Sequence, residues 1–292
     1  MISRKHSFGF LLLGIFSVLI LLKLLSGSLF LKSSDRIQFV VYGQNTRLYS
    51  LSPKGNINYY VGYDPDLKVV VPNGYGTYRI GALSRLISYE KKPELLSKAF
   101  SVATSSFVTY YFYPSSSEIY YSNEVPHSYK APSFIEIMLY KSNARLLDRI
   151  YLYLQILQAS PSSFQNLDIG LLTKKIQKQT YLSSDAFGKE YKGFFYNKTY
   201  RTERQTVQIR YTKNYNSAVA IGKILEGNGI RVVDISATGN QPQRCNVTTT
   251  TAIESKTVED MVRVFNCDLI NGKADTSDIL FNLGGAEQEW EL

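Results

Sequence analysis

The chain has 292 residues, 2 cysteines, 2 histidines and a formal net charge of +9. The histidines, His6 and His127, stand alone without the Cys/His spacing of a zinc site, and no GxSxG elbow, GxxxxGK[ST] phosphate loop or GxGxxG dinucleotide turn occurs, which excludes the enzyme classes those motifs mark. Charge divides the chain: Ile37 to Arg201 holds 19 Lys+Arg against 11 Asp+Glu and 21 of the 23 tyrosines, whereas Thr202 to Leu292 holds 9 against 12, so a basic aromatic domain is expected to precede an acidic aliphatic one.

Residues 1–6 read as a cytoplasmic tail. From Ser7 to Leu31 the sequence is apolar for 25 residues, broken mainly by Lys23. About 20 such residues cross a bilayer core of roughly 30 Å, so 7–31 is predicted to be a membrane-spanning helix, and Lys23 can snorkel near one end. Ser26 and Ser28 also suit a signal-peptide cleavage site; either reading exports the remainder of the chain. Arg4 and Lys5 before the span nearly balance Lys32 and Arg36 after it, so charge alone leaves the orientation open. Two cysteines in an exported domain are more often paired than free, which favours the bulk of the chain lying outside the cell membrane. Nucleic acid is therefore not expected as a partner.

Strands are predicted at Ile37–Tyr42, Leu48–Leu51, Ile57–Val61 and Leu67–Val71, punctuated by Ser52-Pro53-Lys54-Gly55 and by the loop Pro72–Gly76. A short strand at Tyr78–Ile80 leads to helices over Ala82–Tyr89 and Pro93–Ala103, the second opened by proline in its first turn. Phe107–Tyr113 reads as a strand stopped by Pro114, and Ser115–Ser133 as a polar loop. Arg145–Gln158 is the clearest soluble helix: Leu147, Tyr151, Leu154 and Gln158 mark its stripe, Ile150 and Leu157 widen it, Asn143 is placed to cap it and Pro161 ends it. The stretch 181–203 has no stable period and reads as a linker or edge segment.

Beyond it, strand Val207–Tyr211, helix Ser217–Glu226 with its Gly227-Asn228-Gly229 stop, strands Ile230–Ile235 and Cys245–Thr251, helix Val258–Phe265 and strand Asp278–Leu283 come in order. This predicts a βαββαβ sandwich with helices on one face. Cys245 starts a strand and Cys267 ends the following helix, so a helix packed back across the sheet would bring them together as a disulfide. Two buried thiols remain the alternative.

A basic, tyrosine-rich exported domain suits an anionic wall polymer, since lysines attract it and tyrosine rings stack on sugars. The plainer reading is that tyrosine favours strands and lysine solubilises.

The segment VQIRYTKNYNSAVAIGKILEGNGIRVVDI, with TVEDMVRVF and ADTSDILFNLG after it, resembles the LytR C-terminal domain family from about Arg204 to Leu283, placing a LytR C-terminal-like domain at 204–292. Asn214-Tyr215-Asn216-Ser217 stands where that family has an Asn-Gly-Thr-like turn. RIQFVVYG, VVVPNGYGTYRIGAL and PELLSKAFSVATSSFVTYYFYP resemble, over roughly Arg36 to Pro114, the LytR–CpsA–Psr (LCP) family of wall-polymer ligases, placing a degenerate LCP-like domain at 37–180. The resemblance implies a mixed α/β fold and, for an active ligase, a polyprenyl pyrophosphate substrate held by arginines and acids with Mg²⁺ at the phosphates; for the non-catalytic reading no cofactor is expected. Asp64 in Val61-Gly62-Tyr63-Asp64-Pro65 keeps an acid where the family has Ser-Ile-Pro-Arg-Asp, but its arginine is missing, and the later Arg-x-Arg and Asp-x-x-Arg elements have no counterpart between Ser115 and Thr180. The candidate catalytic residues are Asp64 and Arg47, with Arg79 and Arg85 as phosphate-binding candidates and no metal ligand assigned. The expected function is a non-catalytic, membrane-anchored binding or scaffold protein of the cell envelope, taking an anionic wall glycopolymer or a polyprenyl-linked glycan. The alternative is an active phosphotransferase with a rebuilt, Mg²⁺-using site.

Overall fold

The computed structural model describes residues 25–32, 34–122, 129–239, 242–250, 255–274 and 276–292, together with Phe16, Leu19, Leu22 and Lys23. The chain is mixed α/β. It opens with β1 (Ile37–Val41), β2 (Arg47–Leu51), β3 (Asn58–Gly62), β4 (Lys68–Val71) and β5 (Gly76–Arg79). The turn between β4 and β5 puts Asn73 and Gly74 at φ 73° and 74°, a left-handed pair that asparagine and glycine tolerate best. A 3₁₀ turn at Ile80–Ala82 leads into α1 (Leu83–Glu90) and α2 (Leu95–Thr104), then β6 (Tyr110–Tyr113), α3 (Phe134–Met138), β7 (Lys141–Ser142), α4 (Leu146–Gln158) and β8 (Phe164–Asn166). After β9 (Thr173–Ile176) and β10 (Gln179–Leu182) come α5 (Ser184–Glu190) and α6 (Lys198–Glu203). The remainder is β11 (Thr206–Tyr211), α7 (Tyr215–Gly227), β12 (Arg231–Ala237), β13 (Asn246–Thr249), α8 (Lys256–Phe265), β14 (Asp268–Asn271), β15 (Ile279–Asn282) and α9 (Ala286–Glu289).

Among the described residues three sheets form, ordered β7-β6-β1-β2-β3-β8, β5-β4-β10-β9 and β12-β11-β15-β13-β14. The first is covered on both faces. Val40, Tyr42, Leu48 and Val61 enter one core with α1 and α2, while Phe39, Val41, Tyr49, Leu51 and Tyr60 enter another with α4. That is why IQFVV and RLYSL are buried throughout, since a strand covered on both sides shows no polar alternation. In the third sheet, Val207, Ile209, Val247, Ile279 and Phe281 face α7 and α8. The opposite face is polar: Gln208 Nε2 donates to Asp234 Oδ2 at 2.8 Å and Asn282 Nδ2 to Asn246 Oδ1 at 2.9 Å. Helices therefore lie on one face as expected, but β14 and α9 add to the βαββαβ order.

Several expectations need correction. The stretch 181–203 is folded: α5, α6 and the turn between them bury Phe187, Tyr200 and Phe195 at 0, 5 and 2% exposure, because its aromatics pack into two different cores and need no single helical period. Those cores also interlock, as Val102 and Phe107 sit among the apolar residues of the third sheet. Asn143 does not cap α4. Its amide bridges to β6, accepting from Tyr111 N at 3.2 Å and donating to Thr109 O at 2.8 Å. The inward face of α4 is Asp148, Tyr151, Leu152 and Ile156, shifted from the predicted stripe because the helix is apolar on both sides.

Most of the predicted span 7–31, and both histidines, lie outside the described residues. Among the described residues no helix is long and apolar enough to cross a membrane. The end of the predicted span is not helical: Gly27–Lys32 runs in turns, with Ser28 and Leu29 buried and Leu29 N donating to Asp148 Oδ1 at 2.8 Å.

Candidate functional site

β3 ends at Gly62, and the chain then turns sharply. Tyr63 N donates to Thr46 O at 2.9 Å, and the Tyr63 ring goes inward against Phe100, centroids 5.0 Å apart. With Tyr63 anchored, Asp64 faces outward. Its Oδ1 accepts from Asp66 N at 2.7 Å, closing an Asx turn, and its Oδ2 accepts from Ser122 Oγ at 2.8 Å. Asp64 and Asp66 thereby line one cavity of about 650 Å³, whose walls include Arg47, Tyr60, Tyr129, Lys130, Asn166 and Asp168.

The structure brings together Asp64 and Arg47 but not the four candidates as a set. Arg47 is 6% exposed. Its Nε donates to Asn45 O at 3.0 Å, its Nη1 to Lys130 O at 2.9 Å, and its Nη2 meets Glu136 Oε1 at 3.4 Å. A guanidinium so engaged ties β2 to the 130s segment and has few donors left for a ligand. Arg79 is bound to Asp66, Nη1 to Oδ1 at 2.9 Å, and its guanidinium lies over the Tyr121 ring at 4.4 Å. Arg85 is exposed on α1 and does not line the cavity.

Sequence reasoning missed Asp66, Asp168, Tyr60, Tyr129 and Lys130. Asp168 accepts from Gly170 N at 2.8 Å; the Asp-x-Gly spacing of such a turn was its only signal. Tyr129 stacks on Phe164, centroids 4.3 Å apart, and meets Tyr60 edge-on at 5.3 Å. Burial pushes the Tyr129 phenol up to about 12 against the opposing effect of Arg47, so its hydroxyl stays protonated and able to donate. The cavity is thus walled by aromatic rings and floored by three aspartates, with Arg47 and Lys130 as its cations. Its edge includes Thr173 and Thr180, and between them the β9–β10 hairpin carries exposed Lys174, Lys175 and Lys178.

This arrangement does not fit Mg²⁺ as the resemblance implies it. Among the described residues no three or more His, Cys, Asp or Glu groups are placed to hold a metal ion, and the carboxylates of Asp64 and Asp66 are occupied by Ser122, Arg79 and backbone N–H groups. A pyrophosphate would meet more negative than positive side chains here, the reverse of what stabilises it.

The predicted disulfide is present: Cys245 and Cys267 are bonded, 22 residues apart. Cys245 immediately precedes β13 and Cys267 immediately precedes β14. The parallel pairing of those strands aligns their starts, so strand register rather than a helix end brings the sulfurs together.

No protein-family model matches the chain, and no curated protein matches it. Among solved structures it is similar to Bacillus subtilis TagU, at 9% identity over 53% of this chain and 94% of that one, with a TM-score of 0.35. It is similar also to the B. subtilis transcriptional regulator yvhJ, at 9% identity over 53% and 92% with a TM-score of 0.34, and to a transcriptional regulator from Enterococcus faecalis, at 7% over 67% and 87% with a TM-score of 0.33.

Proposed function

We propose that the protein is a membrane-anchored, extracytoplasmic cell-envelope protein that binds a wall glycopolymer or a polyprenyl-linked glycan without turning it over. The observation that carries this reading is the cavity beside Asp64, with aromatic walls, carboxylate and amide groups on its floor and a lysine-bearing hairpin at its edge. Carboxylates and Asn166 suit sugar hydroxyls, and tyrosine faces suit sugar rings. Lys174, Lys175 and Lys178 suit the anionic groups of a polymer crossing the edge. Catalysis of phosphoryl transfer would instead need free cations at the floor, and Arg47 is already bonded on three sides. The Cys245–Cys267 disulfide accords with an oxidising compartment, and the resemblance over 36–114 and 204–283 accords with the cell wall.

The test is retention of purified wall glycan by the full chain in detergent micelles, with and without Lys174→Glu, Lys175→Glu and Lys178→Glu together. Retention that weakens with added salt and in the triple variant is expected. If neither wall material nor polyprenyl-linked glycan is retained at low salt, the reading is wrong. Asp64 at the cavity keeps a second reading open to the same preparation. Phosphate release from a polyprenyl-pyrophosphate glycan with an acceptor and Mg²⁺, lost in Asp64→Ala, would establish a phosphotransferase.

A further inference from the structure

The outward face of α4 is apolar. Leu146, Ile150, Tyr153, Leu154 and Leu157 fall on one side of the helix at spacings of four, three, one and three, opposite the inward face of Asp148, Tyr151, Leu152 and Ile156. An ordinary surface helix carries charge there, yet Leu146 and Leu157 are 63% and 62% exposed. Beside it α3 adds exposed Phe134, Ile135 and Leu139, and the Phe134 ring meets Tyr153 edge-on at 5.4 Å. No acidic side chain is exposed between Phe134 and Gln158. Glu136 turns back to cap α3 and to meet Arg47, and Asp148 is buried on Leu29 N. The exposed charges along this stretch are Lys141 and Arg145.

The place where the N-terminal apolar sequence ends points to what covers this face. Leu29 is buried against the core beneath α4, and Phe30 lies edge-on to Tyr151 at 5.2 Å. Arg145 Nη1 stands 2.9 Å from where a Cβ on Gly27 would sit. Phe30 and Leu31 remain 40% and 68% exposed. The apolar sequence thus ends against α4: Phe30 meets Tyr151 of its inward face, and Gly27 lies by Arg145, which Leu146 at the start of the uncovered stripe directly follows. Apolar surface of this kind marks an interaction site. An apolar helix face flanked by cations rather than acids is the pattern of a segment lying in a membrane interface.

We propose that the α3–α4 face docks on the bilayer that holds the N-terminal segment. Phe134, Leu146, Leu154 and Leu157 enter the headgroup boundary, and Lys141 and Arg145 meet anionic lipid headgroups. From the proposed function this takes only the membrane anchor; the glycan site plays no part. Docking would fix which way the body of the protein faces.

The experiment reconstitutes the full chain in nanodiscs of phosphatidylcholine and phosphatidylglycerol carrying doxyl-labelled lipid. A polarity-sensitive fluorophore is attached at Leu157→Cys, with Leu12→Cys in the anchor and Lys273→Cys on the C-terminal domain as references; the native cysteines are bonded to each other. Blue-shifted emission at Leu157→Cys, quenched several-fold more than at Lys273→Cys and reduced by adding Leu154→Asp, is the expected result. Quenching at Leu12→Cys alone overturns the docking surface and leaves the anchor standing. Quenching at Leu157→Cys without Leu12→Cys supports the surface and removes the anchor, and quenching at neither removes both. A blue shift that grows with protein concentration but resists doxyl lipid means a second copy covers the face, and the proposal fails.

Discussion

Gly227, the last residue of α7, tests whether the acidic C-terminal portion is packed onto the rest or merely tethered to it. A Cβ there would stand 1.7 Å from the carbonyl oxygen of Ser105 and 2.9 Å from its carbon. Ordinary contact begins at 3.4 Å, so the two backbones would have to part by about 1.7 Å (3.4 − 1.7). Ser105 cannot readily give way. It closes α2 in the left-handed conformation at φ 48°, and its neighbour Ser106 bonds Gln38 Oε1 at 2.6 Å. Moving α7 instead would strain the bond from Phe107 N to Asn228 Oδ1 and open the packing around Val102 and Phe107. Overpacking against backbone costs about 3 kcal/mol, offset by at most about 1 kcal/mol of helix propensity. For a chain of this size a net loss of about 2–3 kcal/mol lowers the melting temperature by roughly 5–10 °C. Near-UV circular dichroism melts of wild type, Gly227→Ala and Gly222→Ala would measure it. The Gly222 Cβ meets a flexible side-chain end, Ile235 Cδ1 at 3.1 Å, so that variant should melt within a few degrees of wild type. If Gly227→Ala melts with wild type, or wild type unfolds in two independent steps, the two portions are not packed backbone to backbone.

Three further outcomes are expected. Glu203 accepts from Lys256 N at 2.7 Å and Thr257 N at 2.9 Å at the start of α8. Burial pushes its carboxyl up, but these N–H groups with the Thr257 and Ser255 side chains outweigh burial and hold it below its ordinary 4.5. Its contribution to stability is therefore complete above pH 4.5 and lost as pH falls through the lowered folded value; Glu203→Gln should flatten that part of a stability–pH curve and cost about 1 kcal/mol at neutral pH, measured by denaturant titration. Replacing Cys245 and Cys267 together by serine reopens the cross-linked loop and should cost about 3 kcal/mol in the same titration, with wild type falling to the variant's midpoint under reductant. Arg47→Ala leaves Glu136 half-buried without its cation and should cost about 3 kcal/mol, whereas Arg79→Ala breaks a partly exposed pair and should cost under about 1 kcal/mol. Equal losses would mean Arg47 is not the buried tie described.

Local chemistry was enough to place most of the regular elements. IQFVV, LKVVV and VQIRY are β-branched runs bounded by turn residues, Asn-Gly between β4 and β5 supplies the left-handed residues that turn needs, and Ser255 caps α8 through Val258 N as its position before an apolar run implies. Each of those signals lives within a few residues. Asp64 came forward differently, from the resemblance of Val61-Gly62-Tyr63-Asp64-Pro65 to the LCP stretch that ends in an acid.

The 181–203 segment shows why the rest was hidden. Phe187 and Phe195 belong to the core under α1 and α2, whereas Tyr200 belongs to the core of the third sheet, and no one-dimensional period describes a chain that threads between cores. In α4 the sequence is apolar on two opposite sides, so the buried side was decided only when β1, β2 and β6 took one face and left the other bare. The fate of Arg47 was decided the same way: its charge is visible in the sequence, but Lys130 O and Glu136 lie 83 and 89 residues away and only folding brings them to it. The sequence by itself determined most of the regular elements, the charge division and the apolar N-terminus. Tertiary structure decided which charges are already occupied, because neutralising a side chain takes partners that are near in space and remote along the chain.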